Sequence, residues 1–292
     1  MTSNTNYKIA IASGKGGTGK TLVSTSLFYS LQQNGVPVKL IDCDAEEPND
    51  MVFFNAEATR KLDVTQLVPV IDESKCTFCG RCHDYCAYNA IFIIPPSKII
   101  KVIEDLCHGC GACSVACNDG AITEKVVSLG EIKYYPMTST SQVVEARVHV
   151  GIYSPVSVIK KAINSVDSNQ LILMDSPPGT SCPFIQTVSH ADYIILITEP
   201  TPFGLSDLKQ SVDTLRTMGK ACGVIINRAG LGDKTVYQYL EDEKIPLLME
   251  IPFDRDIASI YSKGNIVAKE KPELQQKLID VFELVCDSIA CR

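Results

Sequence analysis

Several short, mainly apolar runs are distributed along the chain, and most of them end at a polar or acidic residue. Runs of this kind are typical of parallel strands buried on both faces of a sheet. They cover residues 9–12, 39–42, 171–175, 193–198 and 223–228. Apolar residues at helical spacing follow the first run as far as Gly35, and another helical stripe covers residues 274–289. The pattern predicts an α/β fold in which helices flank a mostly parallel sheet.

A glycine-rich segment follows the first predicted strand and matches the phosphate-loop pattern G-x4-G-K-[ST]. Its residues are Gly14, Lys15, Gly16, Gly17, Thr18, Gly19, Lys20 and Thr21. The helix that begins here would point backbone N–H groups and the positive end of its dipole at phosphate. Lys20 would reach the outer phosphates and the Thr21 hydroxyl would bind Mg²⁺. The segment therefore predicts a strand, a phosphate loop and a helix that bind ATP with Mg²⁺, against the alternative of an ordinary glycine turn.

Eight of the thirteen cysteines form two runs of the same spacing, offset by 31 residues. This spacing resembles that of bacterial ferredoxins, where three cysteines of one run and the fourth of the other hold each [4Fe-4S] cluster. The resemblance implies one cluster on Cys76, Cys79, Cys82 and Cys117, and a second on Cys107, Cys110, Cys113 and Cys86. Zinc or disulfides are the alternatives, although a zinc site would leave the third cysteine of each run unexplained. The proline that usually follows the fourth cysteine is replaced by Ala87 and Asn118.

Lys15, at the second position of the phosphate loop, marks the deviant Walker A form. Here the chain resembles the MinD, ParA and Mrp group of ATPases, which includes the nitrogenase iron protein. The resemblance implies a homodimer that sandwiches nucleotide, with Lys15 reaching across to the partner's ATP. A solvated loop lysine is the alternative.

Further positions agree with this family along the chain. The resemblance implies that Asp44 orients or deprotonates the attacking water and that Asp175, in a Walker B strand, holds the metal. It places the adenine base near Asn227, Arg228, Pro252 and Asp254. Each acid after an apolar run has helix N-capping as its alternative role, and for Asp42 capping or support of a neighbouring ligand remains open.

Composition and charge reduce the number of function classes that fit this chain. The chain has 292 residues, 45% of them hydrophobic, and a formal net charge of −7. This balance argues against a sequence-independent nucleic-acid surface. No apolar run has membrane-spanning length and residues 1–7 are polar, so we expect no stable membrane insertion and a cytoplasmic location. Thirteen cysteines in such a compartment indicate metal or redox chemistry.

The motifs predict an insertion within one ATPase domain. Residues 1–70 and 127–292 are assigned to the P-loop ATPase, and residues 71–126 to a small α+β ferredoxin-like domain with two [4Fe-4S] clusters. Residues 128–151 alternate in polarity and predict one or two strands, placed as a hairpin at the edge of the ATPase sheet. The whole chain resembles MinD-superfamily ATPases with an inserted ferredoxin domain.

This organisation favours an ATPase dimer that gates electron transfer through two clusters to a redox or metalloprotein partner. A metallocluster assembly or insertion factor is the second hypothesis, and a MinD-like spatial organiser with structural clusters is the third. Cys182, just after the predicted Walker B segment, is a further candidate for metal or partner contact.

Overall fold

A computed structural model describes residues 6–167 and 169–291, so residues 1–5 of the polar N-terminal segment lie outside it. The chain divides into two compact units. The larger comprises Met1–Leu62, Ile132–Arg147 and Val156–Arg292, and the smaller comprises Asp63–Glu131 and Val148–Pro155. The predicted insertion at 71–126 lies within the smaller unit, which also includes Val148–Pro155.

Eleven strands and ten α-helices are found in the described residues. The strands are β1 Lys8–Ala12, β2 Val38–Asp42, β3 Arg60–Ile71, β4 Ile91–Ile94, β5 Ile99–Val102, β6 Ile122–Pro136, β7 Gln142–Val148, β8 Leu171–Asp175, β9 Tyr193–Thr198, β10 Cys222–Ala229 and β11 Leu247–Pro252. The helices are α1 Lys20–Gln33, α2 Arg81–Asp84, α3 Ala112–Ala116, α4 Val156–Asn164, α5 Cys182–Ser189, α6 Pro202–Thr217, α7 Thr235–Asp242, α8 Arg255–Ser262, α9 Val267–Glu270 and α10 Pro272–Ala290.

Nine of the strands form one sheet in the order β11-β10-β9-β1-β8-β2-β7-β6-β3. The pairs β1–β8, β1–β9, β2–β8, β2–β7, β9–β10 and β10–β11 are all parallel. The predicted mostly parallel α/β sheet is confirmed. Strands β6 and β7 form where alternation predicted them, and β7 pairs with β2 of the ATPase sheet. Their placement at the edge is wrong, because β3 adds outside β6 and forms the edge itself.

Helix α1 is buried along most of its length, and it begins and ends where the sequence predicts. Its Leu27, Phe28 and Leu31 join a core that includes alternate residues of β1 and β8. Buried hydroxyls on the helix, such as that of Ser30, donate to the preceding turn, so their burial leaves no donor unsatisfied. The helix ends at Gln33, and two residues later Gly35 has a φ of 71°, a left-handed conformation that glycine adopts without strain.

The last helix, α10, confirms the predicted stripe at residues 274–289. Its buried Leu278, Val281 and Val285 belong to the same core as α1, which agrees with a packing role for this face. No helix in the described part of the chain combines the length and apolarity needed to cross a membrane.

The smaller unit has its own small core. Strands β4 and β5 form a two-stranded antiparallel sheet, with Ile91 opposite Val102. The buried side chains of Ile91 and Ile100 pack with Cys82 and Cys113. Two of these four residues are cysteines, so thiol groups fill part of this core.

Phe28 provides a test of the larger core. Its ring is fully buried and meets Phe54 edge-on at 5.4 Å between centroids. We expect Phe28→Ala to lower the free energy of unfolding by about 3–5 kcal/mol, through lost transfer energy and a residual cavity. Urea denaturation followed by far-UV circular dichroism measures it. The matched control is Phe203→Ala on α6, where the ring is 79% exposed, with an expected change within about 0.5 kcal/mol; equal losses at both positions would contradict this account of the core.

Candidate functional site

The glycine-rich loop lies between β1 and α1. Gly17 and Gly19 have φ values of 76° and 100°, which favour glycine over other residues. A Cβ atom on Gly19 would also collide with the Asn227 amide nitrogen, which donates a 2.7 Å hydrogen bond to the Thr18 carbonyl. The end of β10 therefore fixes the turn that delivers Lys20 and Thr21 to the start of α1.

Thr21 and Asp175 are brought together as a candidate Mg²⁺ site. The Thr21 hydroxyl donates to one Asp175 carboxylate oxygen at 2.9 Å. The other oxygen is buried, and the side chains of Ser24 and Asp50 lie close enough to Asp175 to contribute hydrogen bonds that stabilise its charged form. Burial raises the pKa of Asp175, and the nearby Lys20 ammonium opposes that rise. A hard divalent cation with oxygen ligands fits this pair.

Asp42 lies opposite Asp175 in the pairing of β2 with β8, but its carboxylate is engaged with the backbone. It accepts N–H groups from Asp44 at 3.1 Å, Asn49 at 2.8 Å and Asp50 at 2.9 Å. Burial, followed by the Asp175 charge, raises the pKa of Asp42. Its hydrogen bonds show Asp42 supporting the segment that carries Asp44, one of the roles left open by the sequence.

Asp44 is partly buried at the end of this strand. Its pKa is raised to about 6, mainly by burial. The nearby Lys20 charge opposes the rise, and the Asp175 charge adds to it. A carboxyl group with this pKa is mostly ionised at neutral pH and can accept a proton. Asp44 therefore lies close enough to Lys20 and Asp175 for their charges to affect its pKa, and its role in catalysis stays a prediction.

Asp50 was missed by the sequence analysis. It is fully buried, and burial, then the charges of Asp42 and Asp175, raise its pKa well above the usual value. A side-chain hydrogen bond with Asp175 also contributes to the rise, since a protonated Asp50 can donate to the Asp175 carboxylate. The only sequence signal for Asp50 is closeness to Asp42 and Asp44, because it does not follow an apolar strand directly.

The residues predicted to surround the adenine base lie at the ends of two neighbouring strands. Pro252 of β11 is paired with Ala229 of β10, next to Arg228. Asp254 accepts the N–H of Asp256 at 2.8 Å as the N-cap of α8, and it pairs with Lys271 at 3.2 Å. Asp254 therefore has a structural role whether or not it contacts a base, and its binding role stays a prediction.

Glu199, at the end of β9, is a second residue that the sequence analysis passed over. Its carboxylate lies 3.5 Å from the Lys15 ammonium and 2.6 Å from the Arg228 guanidinium. The sequence did contain a signal for Glu199, because it is an acidic residue at the end of a buried apolar run. The same pattern identified Asp42 and Asp175.

Two hollows in the smaller unit collect the eight repeated cysteines. They contain about 360 Å³ and 330 Å³ of empty space, part of it open to solvent. The first is lined by Cys107, Cys110, Cys113 and Cys86, and the second by Cys76, Cys79, Cys82 and Cys117. Each hollow therefore holds three cysteines of one run and the fourth of the other.

The two cysteine runs also share the same pattern of backbone hydrogen bonds to sulfur. The N–H groups of Phe78 and Gly109 donate to the first sulfur of their runs, each at 3.4 Å. Those of Ala90 and Ala121 donate to the fourth sulfur, at 3.2 and 3.3 Å. Hydrogen bonds of this kind stabilise thiolates and tune any metal that they hold.

The thiols themselves carry information about metal binding. Burial raises the pKa of Cys82 and Cys113, so binding of a metal there would release protons. None of the thirteen cysteines, all of which fall within 6–167 and 169–291, forms a disulfide. Over the same residues, no three His, Cys, Asp or Glu side chains lie close enough to hold a single metal ion.

Two histidines adjoin cysteines of the two runs in sequence, and both contact groups other than those cysteines. His83 Nδ1 lies 2.6 Å from the Ile91 carbonyl, and the His108 ring stacks on Tyr88 with 3.7 Å between centroids. Cys182 is exposed at the first position of α5, and its predicted contact role stays a prediction.

Comparison with known proteins places this site in a family. Residues 9–267 match the family model described as the CobQ/CobB/MinD/ParA nucleotide binding domain. Protein MJ0579 of Methanocaldococcus jannaschii is 30% identical over 89% of this chain and 91% of its own length. An iron-sulfur cluster carrier protein of Methanococcus maripaludis is 24% identical, over 78% of this chain and 62% of its own. The cell division ATPase MinD of Pyrococcus furiosus shares the fold with a TM-score of 0.60 at 21% identity, covering 96% of this chain and 99% of its own. The chain belongs to the CobQ/CobB/MinD/ParA nucleotide-binding family.

Proposed function

We propose that this protein is an ATP-hydrolysing iron–sulfur protein that works as a nucleotide-dependent homodimer and passes electrons through two [4Fe-4S] clusters to a redox or metalloprotein partner. The observation that carries the redox part is the composition of the two hollows, each with three cysteines of one run and one of the other. The smaller unit is then a ferredoxin-like insertion in the ATPase.

The ATPase part is supported by the residues at the carboxyl ends of β1, β2 and β8. The loop and the first turn of α1 offer backbone N–H groups and Lys20 to phosphates. Thr21 and Asp175 would hold Mg²⁺, which when bound would supply positive charge next to the phosphates. Asp44, supported by Asp42, accepts a proton from the attacking water. Lys15 adds a further positive charge, which the family resemblance assigns to the partner's nucleotide.

The arrangement of the cysteines favours clusters over zinc. One tetrahedral zinc ion needs four ligand atoms at about 2.0–2.3 Å from a common point. A cubane needs each thiolate on its own iron, so its four sulfurs are spread around a larger centre. Each hollow is lined by three cysteines of one run and the fourth of the other, which is the ligand distribution of the bacterial ferredoxin pattern and supports the cluster assignment. The clusters, when bound, supply one-electron redox chemistry.

Two other functions have specific support. Similarity to an iron-sulfur cluster carrier protein favours an assembly or insertion factor whose clusters are cargo. The fold shared with MinD favours a spatial organiser with structural clusters. The first alternative predicts that clusters move to an apo-protein acceptor, and the second predicts that ATPase activity is independent of cluster redox state.

The cluster assignment is tested by metal analysis of anaerobically purified protein. We expect about eight irons and eight acid-labile sulfides per chain, and about half of that after Cys110→Ser, which removes one ligand. Cys182→Ser is the matched control, because Cys182 is also exposed but lies outside both hollows; it should keep the full content. Bound zinc in place of iron would contradict the assignment.

The role of Asp44 is tested by steady-state ATPase kinetics. We expect Asp44→Asn to lower kcat by about 10²–10⁴-fold, the usual contribution of a general base. The Kd for ATP should change by less than about threefold, because the lost group acts on water and not on bound phosphate. Asp213→Asn, at an exposed position of α6, is the control and should leave both constants unchanged.

The pH dependence follows from the same carboxyl group. Its raised pKa of about 6 means that Asp44 becomes protonated, and loses its ability to accept a proton, as the pH falls through 6. We therefore expect kcat/KM for ATP to decrease below about pH 6 and to level off above it. A flat profile between pH 5 and pH 7, measured with a pH-stable ATPase assay, would exclude this assignment of the base.

A further inference from the structure

Glu199 lies between two cations from different parts of the nucleotide site. Its carboxylate is 3.5 Å from Lys15 Nζ and 2.6 Å from Arg228 Nη1. The Glu199 side chain is 9% exposed, whereas those of Lys15 and Arg228 are 33% and 50% exposed. A carboxylate at this depth needs a counter-ion, but either cation can be solvated. The buried acid is therefore the member of the trio that depends on the other two.

The position of Glu199 is fixed by the turn between β9 and α6. Its carbonyl accepts the N–H of Thr201 at 2.8 Å, and the Thr201 hydroxyl caps α6 by accepting the N–H of Gly204 at 3.0 Å. Gly204 packs so closely that a Cβ atom there would collide with the Glu199 carbonyl. The backbone that carries the Glu199 side chain is thus closely constrained.

Arg228 is anchored independently of Lys15. Its backbone N–H donates to the Asn227 side chain at 2.9 Å, and that side chain donates to the Thr18 carbonyl at 2.7 Å. The guanidinium forms the shorter of the two ion pairs with Glu199, a charge pair in which the Glu199 oxygen accepts no hydrogen bond within the described residues. Glu199 would consequently remain paired with Arg228 if Lys15 moved away, so the departure of Lys15 leaves no isolated buried charge.

We propose that Glu199 is a positioning residue that holds Lys15 on its own chain in the absence of nucleotide, and that Arg228 acts as the permanent counter-ion that lets Lys15 leave for the partner's site. The inference rests on the proposed function, in which Lys15 acts across a dimer. In this proposal the two ion pairs have opposite effects on how firmly Lys15 is held on its own chain. The Glu199 pair retains Lys15, and the Arg228 pair weakens that retention.

The test is competitive acetylation of lysines in the nucleotide-free protein, read by peptide mass spectrometry with Lys160, an exposed residue of α4, as the internal reference. Glu199→Gln should speed Lys15 acetylation about two- to fivefold, the range expected for one partly exposed ion pair. Arg228→Gln should slow it, because Lys15 becomes the remaining counter-ion. Glu199→Asp, whose shorter side chain draws the carboxylate away from Lys15, should change the rate in the same direction as Glu199→Gln.

Glu243→Gln is the matched control, since it breaks the exposed pair with Arg216, 2.7 Å apart, and should leave Lys15 acetylation unchanged. Sedimentation should also show that Glu199→Gln lowers the ATP concentration for half-maximal dimerisation about two- to fivefold. The proposal is overturned if Lys15 acetylation is unchanged or slower in both Glu199 variants. It is also overturned if Lys15 acetylation is faster in Arg228→Gln. A wild-type chain that neither binds nor hydrolyses ATP overturns the proposed function instead, because the acetylation test needs no nucleotide.

Discussion

The parallel pairing of β8 with β1 on one side and β2 on the other is the constraint on which the nucleotide site depends. It places Asp175 beside Ile11 of β1 and beside Asp42 of β2. Because parallel strands end at the same edge of the sheet, the phosphate loop and the acidic residues converge there. Burying this many carboxyl groups together disfavours their ionisation, as the raised pKa values of Asp42, Asp50 and Asp175 show. Lys20 opposes this effect, and bound Mg²⁺ would oppose it more strongly.

The same edge of the sheet supplies a second set of charges at β9 and β10. Asn227 ties the end of β10 to the phosphate loop, while Glu199 connects Arg228 with Lys15. The loop lysine and the residues predicted to contact the base are therefore linked through short side-chain contacts. This linkage gives the proposed dimer a physical route by which a change at one position alters the freedom of the other.

Much of the larger unit could be predicted from sequence, because buried parallel strands are apolar on both faces and their terminal acids stand out. Strand β3 could not, since Arg60, Lys61 and Asp63 give it the polarity of a loop and only its neighbour in the sheet makes it a strand. The pairing of Glu199 with Lys15 and the burial of Asp50 depend on contacts distant in sequence. In the smaller unit the cysteine spacing predicted the repeat, because the turns that follow this spacing are formed by residues close in sequence. Phe78 and Gly109, at matching positions of the two runs, both have a positive φ. The clusters and the insertion boundaries stay predictions.

The central claim is that nucleotide and cluster chemistry are energetically coupled in one molecule. The most direct test is an anaerobic redox titration followed by EPR, carried out without nucleotide and with ADP, ATP or a non-hydrolysable ATP analogue. Coupling predicts that nucleotide shifts at least one cluster potential, by about 59 mV for each tenfold difference in nucleotide affinity between the oxidised and reduced states. Two cluster signals whose potentials are the same under all four conditions would contradict the account.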